Sequence, residues 1–336
     1  MIRFSEEEYR TGARLTIEAR AAAVEAADRI DREGYDNLFL TAVGGSTVPM
    51  MAVAAIGKEM TTLPIFVEQA AELRVRGNKN LTERSVVVTL SKTGDTRETV
   101  EIAKTCRQKG CRVVAITKTP DSPLGKNGTF FIPMRHENGV EYEYMLMYWF
   151  VLRLLYLRGE FEDYPRFADE MERLPENLLR IKGEFDPKAE EIAAAYFKEP
   201  YMIWVGGSEM WGEVYMFTMC ILEEMQWIRT KAVSSSEFFH GTLELVDENT
   251  AVFLIKGEGA CRQLDERAER FIRQYGKKYV IFDPREYELK GIDEKFRWIL
   301  APAVISTMLV DRLAAHMESC TKHDLDYRRY YRQFDY

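Results

Sequence analysis

The chain has 336 residues, of which 46% are hydrophobic and 30% charged, and its formal net charge is −8. This length favours two domains over one, and the composition is typical of a soluble globular protein. The acidic balance argues against a general nucleic-acid-binding protein, so we expect no nucleic-acid partner.

Cysteines, the N-terminus and the apolar stretches all indicate a cytoplasmic protein without membrane contact. The five cysteines form no CxxC pair and no cluster with zinc-ligand spacing, which favours unpaired thiols in a reducing compartment. The N-terminal segment MIRFSEEEYRTGARL lacks the apolar region of a signal peptide. The most apolar stretches, 144–152 and 298–310, are shorter than the ~20 residues that span a bilayer. We expect them to form buried helices, in the core or at a subunit interface.

Short apolar segments alternate with helical segments through the first half of the chain. A helix is predicted first, over residues 5–32. Candidate strands follow at 37–43, 63–69, 85–90, 111–117 and 129–134. Strands that alternate with helices imply a parallel sheet covered by helices on both faces.

The same order of elements returns in the second half, after a Glu- and Arg-rich helical connection at about 158–190. Candidate strands cover 201–207, 250–259 and 278–283, and candidate helices cover about 210–228 and 294–317. The sequence therefore predicts an α/β protein with two similar units in tandem. We place the domains at residues 1–165 and 166–336.

Two loops that follow predicted strands have the composition of an anion site. Ligands of open parallel sheets bind beyond the carboxyl ends of the strands, next to helix N-termini. The loop GGST (44–47) offers close backbone approach and two hydroxyls, and SKTGDT (91–96) adds the charge of Lys92. A phosphate needs amides, hydroxyls and a positive helix dipole in this combination. The same residue types also cap helices and form turns, so composition alone leaves both roles open.

The segment LSKTGDTRETVEI resembles the phosphate-binding signature of the sugar isomerase (SIS) domain family, whose common form is S-x-S-G-[ED]-T after a strand. VGGST resembles the family's first substrate loop, and TKTPDSPLGKNGTFFIPM resembles its strand–turn–strand segment. ENGVEYEYML lies where the family carries an acidic-Gly-Val segment. The resemblance covers nearly the whole chain. It implies two tandem doubly wound SIS domains, flavodoxin-like or Rossmann-like, each with a five-stranded parallel sheet flanked by helices.

Carried over to this sequence, the resemblance implies a phosphate- and substrate-binding set in the first domain. Its members are Gly45, Ser46, Thr47, Ser91, Lys92, Thr93, Thr96 and Glu137. The chain departs from the family pattern at two of them. Thr93 stands where Ser is usual and Lys92 where Gln or Asn is usual, so we expect the phosphate contacts of these two residues to differ in detail from those of the family.

The segment CILEEMQWIRTKAVSSSEFFHGTLELVD (220–247) resembles the part of the glucosamine-6-phosphate synthase isomerase domain that runs from its base to its histidine. There a helical Glu precedes, by sixteen residues, a His in a K-H-G-P-L turn, and Glu224 and His240 have the same separation. Taken alone, Glu224 would be assigned to a solvated helix face and His240 to the core. The resemblance instead implies that they are a catalytic base and acid, and we expect Glu224 to be desolvated in a mostly covered helix.

The C-terminal segment DLDYRRYYRQFDY and the segment FFHGTLELV are most similar to the fructoselysine 6-phosphate deglycase group of the family. This implies an enzyme that cleaves a 6-phosphorylated Amadori compound into glucose 6-phosphate and a free amine or amino acid, without metal or organic cofactor. An aldose–ketose isomerase or deaminase of the glucosamine 6-phosphate type, and a non-catalytic sugar-phosphate-binding regulator, are the alternatives. The resemblance also implies a homodimer or higher homo-oligomer, in which His240 acts in its own or the neighbouring subunit's site.

Overall fold

The computed structural model describes residues 1–137 and 139–334. The chain divides into two compact units, which are Glu6–Arg173 (the first unit) and Met1–Ser5 with Leu174–Tyr336 (the second unit). The sequence analysis placed the domain boundary after residue 165, whereas the first unit extends to Arg173. The boundary is later because the helix Tyr164–Glu170 packs on the first unit. Tyr164 in that helix donates a hydrogen bond of 3.0 Å from its hydroxyl to the carbonyl of Trp149.

The first unit is built on a five-stranded parallel sheet with the strand order β2-β1-β3-β4-β5. Its strands are β1 Asn37–Ala42, β2 Ile65–Gln69, β3 Ser85–Leu90, β4 Arg112–Thr117 and β5 Phe130–Pro133. Its helices are α1 Glu6–Glu33, α2 Val48–Met60, α3 Ala70–Arg76, α4 Arg97–Gln108, α5 Glu141–Leu157 and α6 Tyr164–Glu170. The predicted strands and the doubly wound topology of this unit are confirmed.

Both faces of the first sheet are buried. Phe39, Val87 and Val113 belong to a core cluster that includes residues of α3 and α4. The residues between them point to the other face, and Leu38 and Val86 there are also fully buried. The apolar stretch 144–152 lies in α5, which packs on α1, and it is buried within the chain itself. Only the ends of the strands are therefore open to a ligand.

The second unit contains a four-stranded parallel sheet with the order β7-β6-β8-β9. Its strands are β6 Met202–Val205, β7 Thr230–Val233, β8 Ala251–Ile255 and β9 Lys278–Phe282. Its helices are α7 Leu174–Tyr196, α8 Trp211–Tyr215, α9 Arg262–Tyr275, α10 Arg297–Ser306 and α11 Ala314–Thr321. This order repeats that of the first four strands of the first unit, so both units are wound in the same way.

The prediction of five strands in the second sheet is wrong. Within the residues that the structure describes, this sheet has no counterpart of β5. The edge strand β7 was not predicted, because its sequence TKAV is short and half polar and only Val233 in it is buried. Edge strands contact the core on few side chains, so they lack the apolar run that identifies central strands.

Two helical segments of the second unit widen into π-helices, Met216–Glu223 after α8 and Thr307–Leu313 between α10 and α11. By length and composition the helical stretch Glu294–Thr321 could cross a membrane, but 83% of its apolar window is buried inside the structure. The stretch packs on α7. Its composition is therefore that of a core helix.

Candidate active site

The two predicted substrate loops of the first unit lie at one edge of its sheet. β1 and β3 are parallel neighbours, and Gly44–Thr47 and the loop of residues 91–96 follow directly on their carboxyl ends. β2 lies on the other side of β1, so the strand order reverses between β1 and β3. Open α/β sheets bind ligands at this switch point.

Ser91 and Thr96 come together in the loop after β3. Ser91 is buried, with 3% of its surface exposed, and its Oγ lies 3.0 Å from Oγ1 of Thr96 and accepts a hydrogen bond of 3.1 Å from the N–H of Gly94. Thr96 precedes α4 but its side chain does not cap this helix. The first N–H groups of α4 and two hydroxyls are therefore grouped as an anion site requires.

Gly94 is required for this loop conformation. Its φ is +74°, in the left-handed region that favours glycine. A Cβ at this position would lie 2.5 Å from the hydroxyl oxygen of Ser122 and 2.6 Å from that of Thr117. Any other residue would therefore displace the turn between Ser91 and Thr96.

Lys92, Thr93 and Glu137 are exposed and bonded to other residues of the protein. Lys92 donates to the backbone carbonyl of Glu137, and the hydroxyl of Thr93 donates to the carboxylate of Asp95. Lys118 pairs with the carboxylate of Glu137 and lowers its pKa through this hydrogen bond. The two positions that depart from the family pattern thus have protein partners in this structure.

In the loop after β1, Gly45 and Ser46 are partly buried and Thr47 is 1% exposed. Among the described residues, the hydroxyl of Thr47 has no hydrogen-bond partner. A buried hydroxyl without a partner costs free energy, and a ligand oxygen would satisfy it.

Two titratable residues of the first unit were given no role by the sequence. His136 follows β5 and is 3% exposed; burial, and then the charge of Lys92, lowers its pKa to about 4. Glu143 lies in the first turn of α5, and burial raises its pKa to about 7. The only sequence signal for Glu143 is an acidic residue next to the apolar run of α5.

In the second unit, Glu224 comes directly after the π-helix Met216–Glu223. π-helical turns are rare and occur frequently at functional sites. The side chain of Glu224 is 28% exposed, and its Oε1 lies 2.9 Å from Nε of Arg328. The expectation that Glu224 is desolvated is therefore wrong, because the C-terminal segment supplies a guanidinium partner and solvent reaches the carboxylate.

His240 lies in a short 3₁₀ turn, Phe238–His240, after β7. Phe238 is fully buried and packs edge-on against Phe271, whereas His240 itself is exposed. This exposure excludes the core alternative. Within residues 1–137 and 139–334, no hydrogen bond joins His240 to Glu224.

Glu224 lines a cavity of about 510 Å³ together with the C-terminal segment. Its wall also includes Trp227, Arg229, Arg328, Arg329, Tyr330 and Tyr331. Gln226 anchors the C-terminal segment, because its amide donates to the carbonyl of His323 and accepts from the hydroxyl of Thr321, both at 2.6 Å. The sequence had suggested the Arg-Arg-Tyr tail as a family feature without giving its residues a role.

The edge of the second sheet is occupied by carboxylates of the protein. Oε1 of Glu209 accepts hydrogen bonds from the N–H groups of Glu258 at 3.1 Å and Gly259 at 2.8 Å. Asp265 accepts from the N–H of Gly257 at 2.9 Å and from the hydroxyl of Ser235 at 2.5 Å. Burial raises the pKa of Asp265 to about 6. No residue of this set was singled out from the sequence.

Comparison with known proteins shows the family to which the chain belongs. The family model of the SIS domain matches residues 35–157. Fructosamine deglycase FrlB of Bacillus subtilis (strain 168) is 30% identical over 311 residues, which cover 90% of this chain and 93% of that protein. Fructoselysine 6-phosphate deglycase of Escherichia coli (strain K12) is 22% identical over 89% of this chain and 86% of that protein.

A solved structure shows that the similarity extends through both units. The crystal structure of a Bacillus subtilis protein assigned as a phosphosugar isomerase is 26% identical, with a TM-score of 0.87, and the match covers 95% of this chain and 99% of that chain.

Proposed function

Because this chain belongs to the SIS domain family, we propose that it is a deglycase that hydrolyses 6-phosphorylated fructosamines to glucose 6-phosphate and a free amine. The observation that carries the proposal is the position of Glu224, at the end of a π-helix and in the wall of a cavity. The similarity to fructosamine deglycase FrlB, which runs through both units, supports this choice within the family.

The phosphate group is assigned to the loops after β1 and β3 of the first unit. Ser91 and Thr96 offer hydroxyls, α4 offers N–H groups at its positive end, and Thr47 offers a buried hydroxyl. A phosphate fixed at this position restricts the motion of an open-chain sugar, which contributes entropically to the rate.

Glu224 is assigned as the base. It removes a proton from C1 of the open-chain sugar, and the electron pair forms a C1–C2 double bond while the C2 ketone oxygen gains a proton, which gives an enaminol. Return of a proton to C2 moves the double bond to C1–N. Water adds to this imine, the C1–N bond breaks, and the products are the C1 aldehyde of glucose 6-phosphate and the free amine. C1 is oxidised and C2 reduced, so no external redox partner is needed.

His240 is assigned as the acid, at O2 or at the ring oxygen O5. Its exposure suits a residue that meets substrate, in its own or in a neighbouring subunit of a homodimer or higher homo-oligomer. Mixing Glu224→Gln and His240→Asn chains tests the second arrangement. Sites that combine the two residues from different chains would restore activity in the mixture, whereas sites within one chain would not.

A substrate panel tests the function. Wild type is incubated with 6-phosphofructosyl amino acids, fructose 6-phosphate and glucosamine 6-phosphate, and release of glucose 6-phosphate is coupled to glucose-6-phosphate dehydrogenase. We expect glucose 6-phosphate from the Amadori phosphates, and strong loss of this signal in Glu224→Gln and His240→Asn. Turnover of fructose 6-phosphate or glucosamine 6-phosphate alone would indicate an isomerase or deaminase, and binding without any turnover would indicate a regulator.

A further inference from the structure

The cavity beside Glu224 is locally basic in a chain of net charge −8. Three arginines, Arg229, Arg328 and Arg329, line it against two glutamates, Glu223 and Glu224. Glu223 accepts a hydrogen bond of 2.5 Å from the hydroxyl of Thr230, and Glu224 is paired with Arg328. Within the part of the chain that the structure describes, Arg229 and Arg329 have no ion pair. A cavity of this volume lies in the range of small-molecule sites, and its excess positive charge favours an anionic group.

Arg329 is oriented by an aromatic ring. Its guanidinium lies 4.0 Å from the ring centroid of Trp227, whose own backbone has a φ of +57°. A guanidinium that lies over an aromatic ring can still donate from its N–H groups, and a planar guanidinium can bind a carboxylate through two hydrogen bonds. A guanidinium held on an aromatic ring loses less side-chain entropy when it binds an anion.

The proposed chemistry determines which part of the substrate meets this cavity. Glu224 acts on C1, and C1 carries the nitrogen that is released. The substituent on that nitrogen therefore lies among the residues around Glu224, which are those of the cavity wall. Arg328 is 2.9 Å from Glu224, so an anionic group on the carbon bonded to that nitrogen comes within reach of its guanidinium.

We propose that this cavity is the subsite for the amine portion of the substrate, and that Arg328 and Arg329 bind a carboxylate on it. The proposal rests on the deglycase function and deepens it, because it names the residues that distinguish phosphofructosamines of amino acids from those of simple amines. A substrate carboxylate also competes with Glu224 for Arg328, so its binding releases the base from its ion pair. The bound anion thereby helps to prepare the site for proton transfer.

The test uses two substrates that differ in one carboxylate, 6-phosphofructosyl-glycine and 6-phosphofructosyl-methylamine. Values of kcat/KM are measured for wild type, Arg329→Gln, Arg328→Gln and the control Arg270→Gln, which removes an exposed arginine of α9. We expect wild type to prefer the glycine compound by about tenfold to a hundredfold, the range of hydrogen bonds to a charged group. Arg329→Gln should lose most of this preference by lowering the glycine value alone, and Arg270→Gln should keep it.

Arg328→Gln should also lose the preference, because it removes one of the two guanidinium groups that bind the carboxylate. Equal kcat/KM for both compounds in wild type would overturn the subsite while leaving the deglycase function intact, since glucose 6-phosphate would still form. An equal loss for both compounds in Arg329→Gln would overturn it in the same way. If wild type hydrolyses neither compound, nor any other Amadori phosphate, the deglycase function fails and the subsite fails with it.

Discussion

The two units treat the same topological position in opposite ways. In the first unit the loop after β3 groups the hydroxyls of Ser91 and Thr96 at the start of α4, and the side chain of Thr96 does not cap this helix. In the second unit the corresponding loop follows β8. There the carboxylate of Glu209 accepts hydrogen bonds from the N–H groups of Glu258 and Gly259. One copy of the fold thus has a loop with the groups of an anion site, and in the other copy a side-chain carboxylate of the protein binds the loop.

The carboxylate of Glu209 can approach this loop of the second unit because glycine stands at position 257. A Cβ on Gly257 would lie 2.3 Å from Oε1 of Glu209, so glycine is needed for the approach of the carboxylate. Asp265 bonds to the N–H of the same Gly257. The comparison teaches that a repeated fold need not repeat its ligand site, and it agrees with our proposal of phosphate binding in the first unit and proton transfer in the second.

Glu224→Gln is expected to have the largest effect on activity, and it tests proton transfer separately from phosphate binding. We expect kcat for glucose 6-phosphate release to fall by about 10²- to 10⁴-fold, the usual contribution of a general base. The Kd for glucose 6-phosphate, measured by calorimetry, should not change. Glu190→Gln, which makes the same substitution at an exposed position of α7, is the control and should match wild type. A Glu224→Gln enzyme with the kcat of wild type would refute the assignment of the base.

Glu143→Gln tests the buried acid of the first unit through pH. Burial raises the pKa of Glu143 to about 7 in the folded chain from 4.5, so the folded state binds more protons than the unfolded state between these values. Its contribution to stability is present at low pH and is lost as the pH rises through about 7. We therefore expect the wild type to become less stable than Glu143→Gln between pH 5 and pH 8, by up to about 3 kcal/mol.

Urea unfolding at several pH values measures this difference. His136, whose pKa is lowered to about 4, acts with the opposite sign, because its contribution is lost as the pH falls through 6.5 toward 4. His136 is present in wild type and in Glu143→Gln, so its contribution largely cancels in the difference between their free energies of unfolding. A stability difference that stays constant from pH 5 to pH 8 would show that Glu143 does not titrate in this range.

Glu209→Ala tests whether the carboxylate of Glu209 takes the place of a ligand anion in the second unit. The N–H groups of Glu258 and Gly259 would lose their acceptor, and we expect a loss of about 1–3 kcal/mol in the free energy of unfolding. Inorganic phosphate should raise the Tm of this variant more than that of wild type, because it can replace the carboxylate. Glu209→Gln keeps one acceptor oxygen and should lose less. Equal phosphate effects on wild type and Glu209→Ala would contradict the internal-anion role.

Ser91→Ala and Ser235→Ala are expected to have the smallest effects, since each substitution removes one hydroxyl group at the edge of one sheet. Ser91→Ala should weaken the binding of glucose 6-phosphate about tenfold, as expected for one hydrogen bond to a charged group. Ser235 donates to Asp265 instead, so Ser235→Ala should lower the Tm without changing the affinity. If Ser235→Ala weakened binding as much as Ser91→Ala, the contrast between the two edges would be lost.

The sequence was most informative where structure depends on local pattern. The central strands β1, β3 and β4 contain the apolar segments LFL, VVV and VVAI, since both faces of the sheet are covered, and their positions were predicted closely. The phosphate-binding role of the loop at Ser91 stays a prediction, which could be made because its residues lie within six consecutive positions after a strand. The edge strand β7 could not, because only Val233 in it faces the core.

Contacts between distant residues were beyond the reach of the sequence. Arg328 lies 104 residues after its partner Glu224, and Glu209 lies 50 residues before its partner Gly259. No periodicity or spacing records such pairs. This is why Glu224 was expected to be desolvated, and why the filled anion site of the second unit was not foreseen.

The identity of the product tests the proposed chemistry most directly. The substrate is 6-phosphofructosyl-glycine labelled with ¹³C at C2, and NMR follows the labelled carbon during incubation with wild type. We expect the C2 ketone signal to be replaced by that of C2 in glucose 6-phosphate, with one glycine released for each sugar. Label that remains in a ketone, as fructose 6-phosphate or as unchanged substrate, would contradict a deglycase.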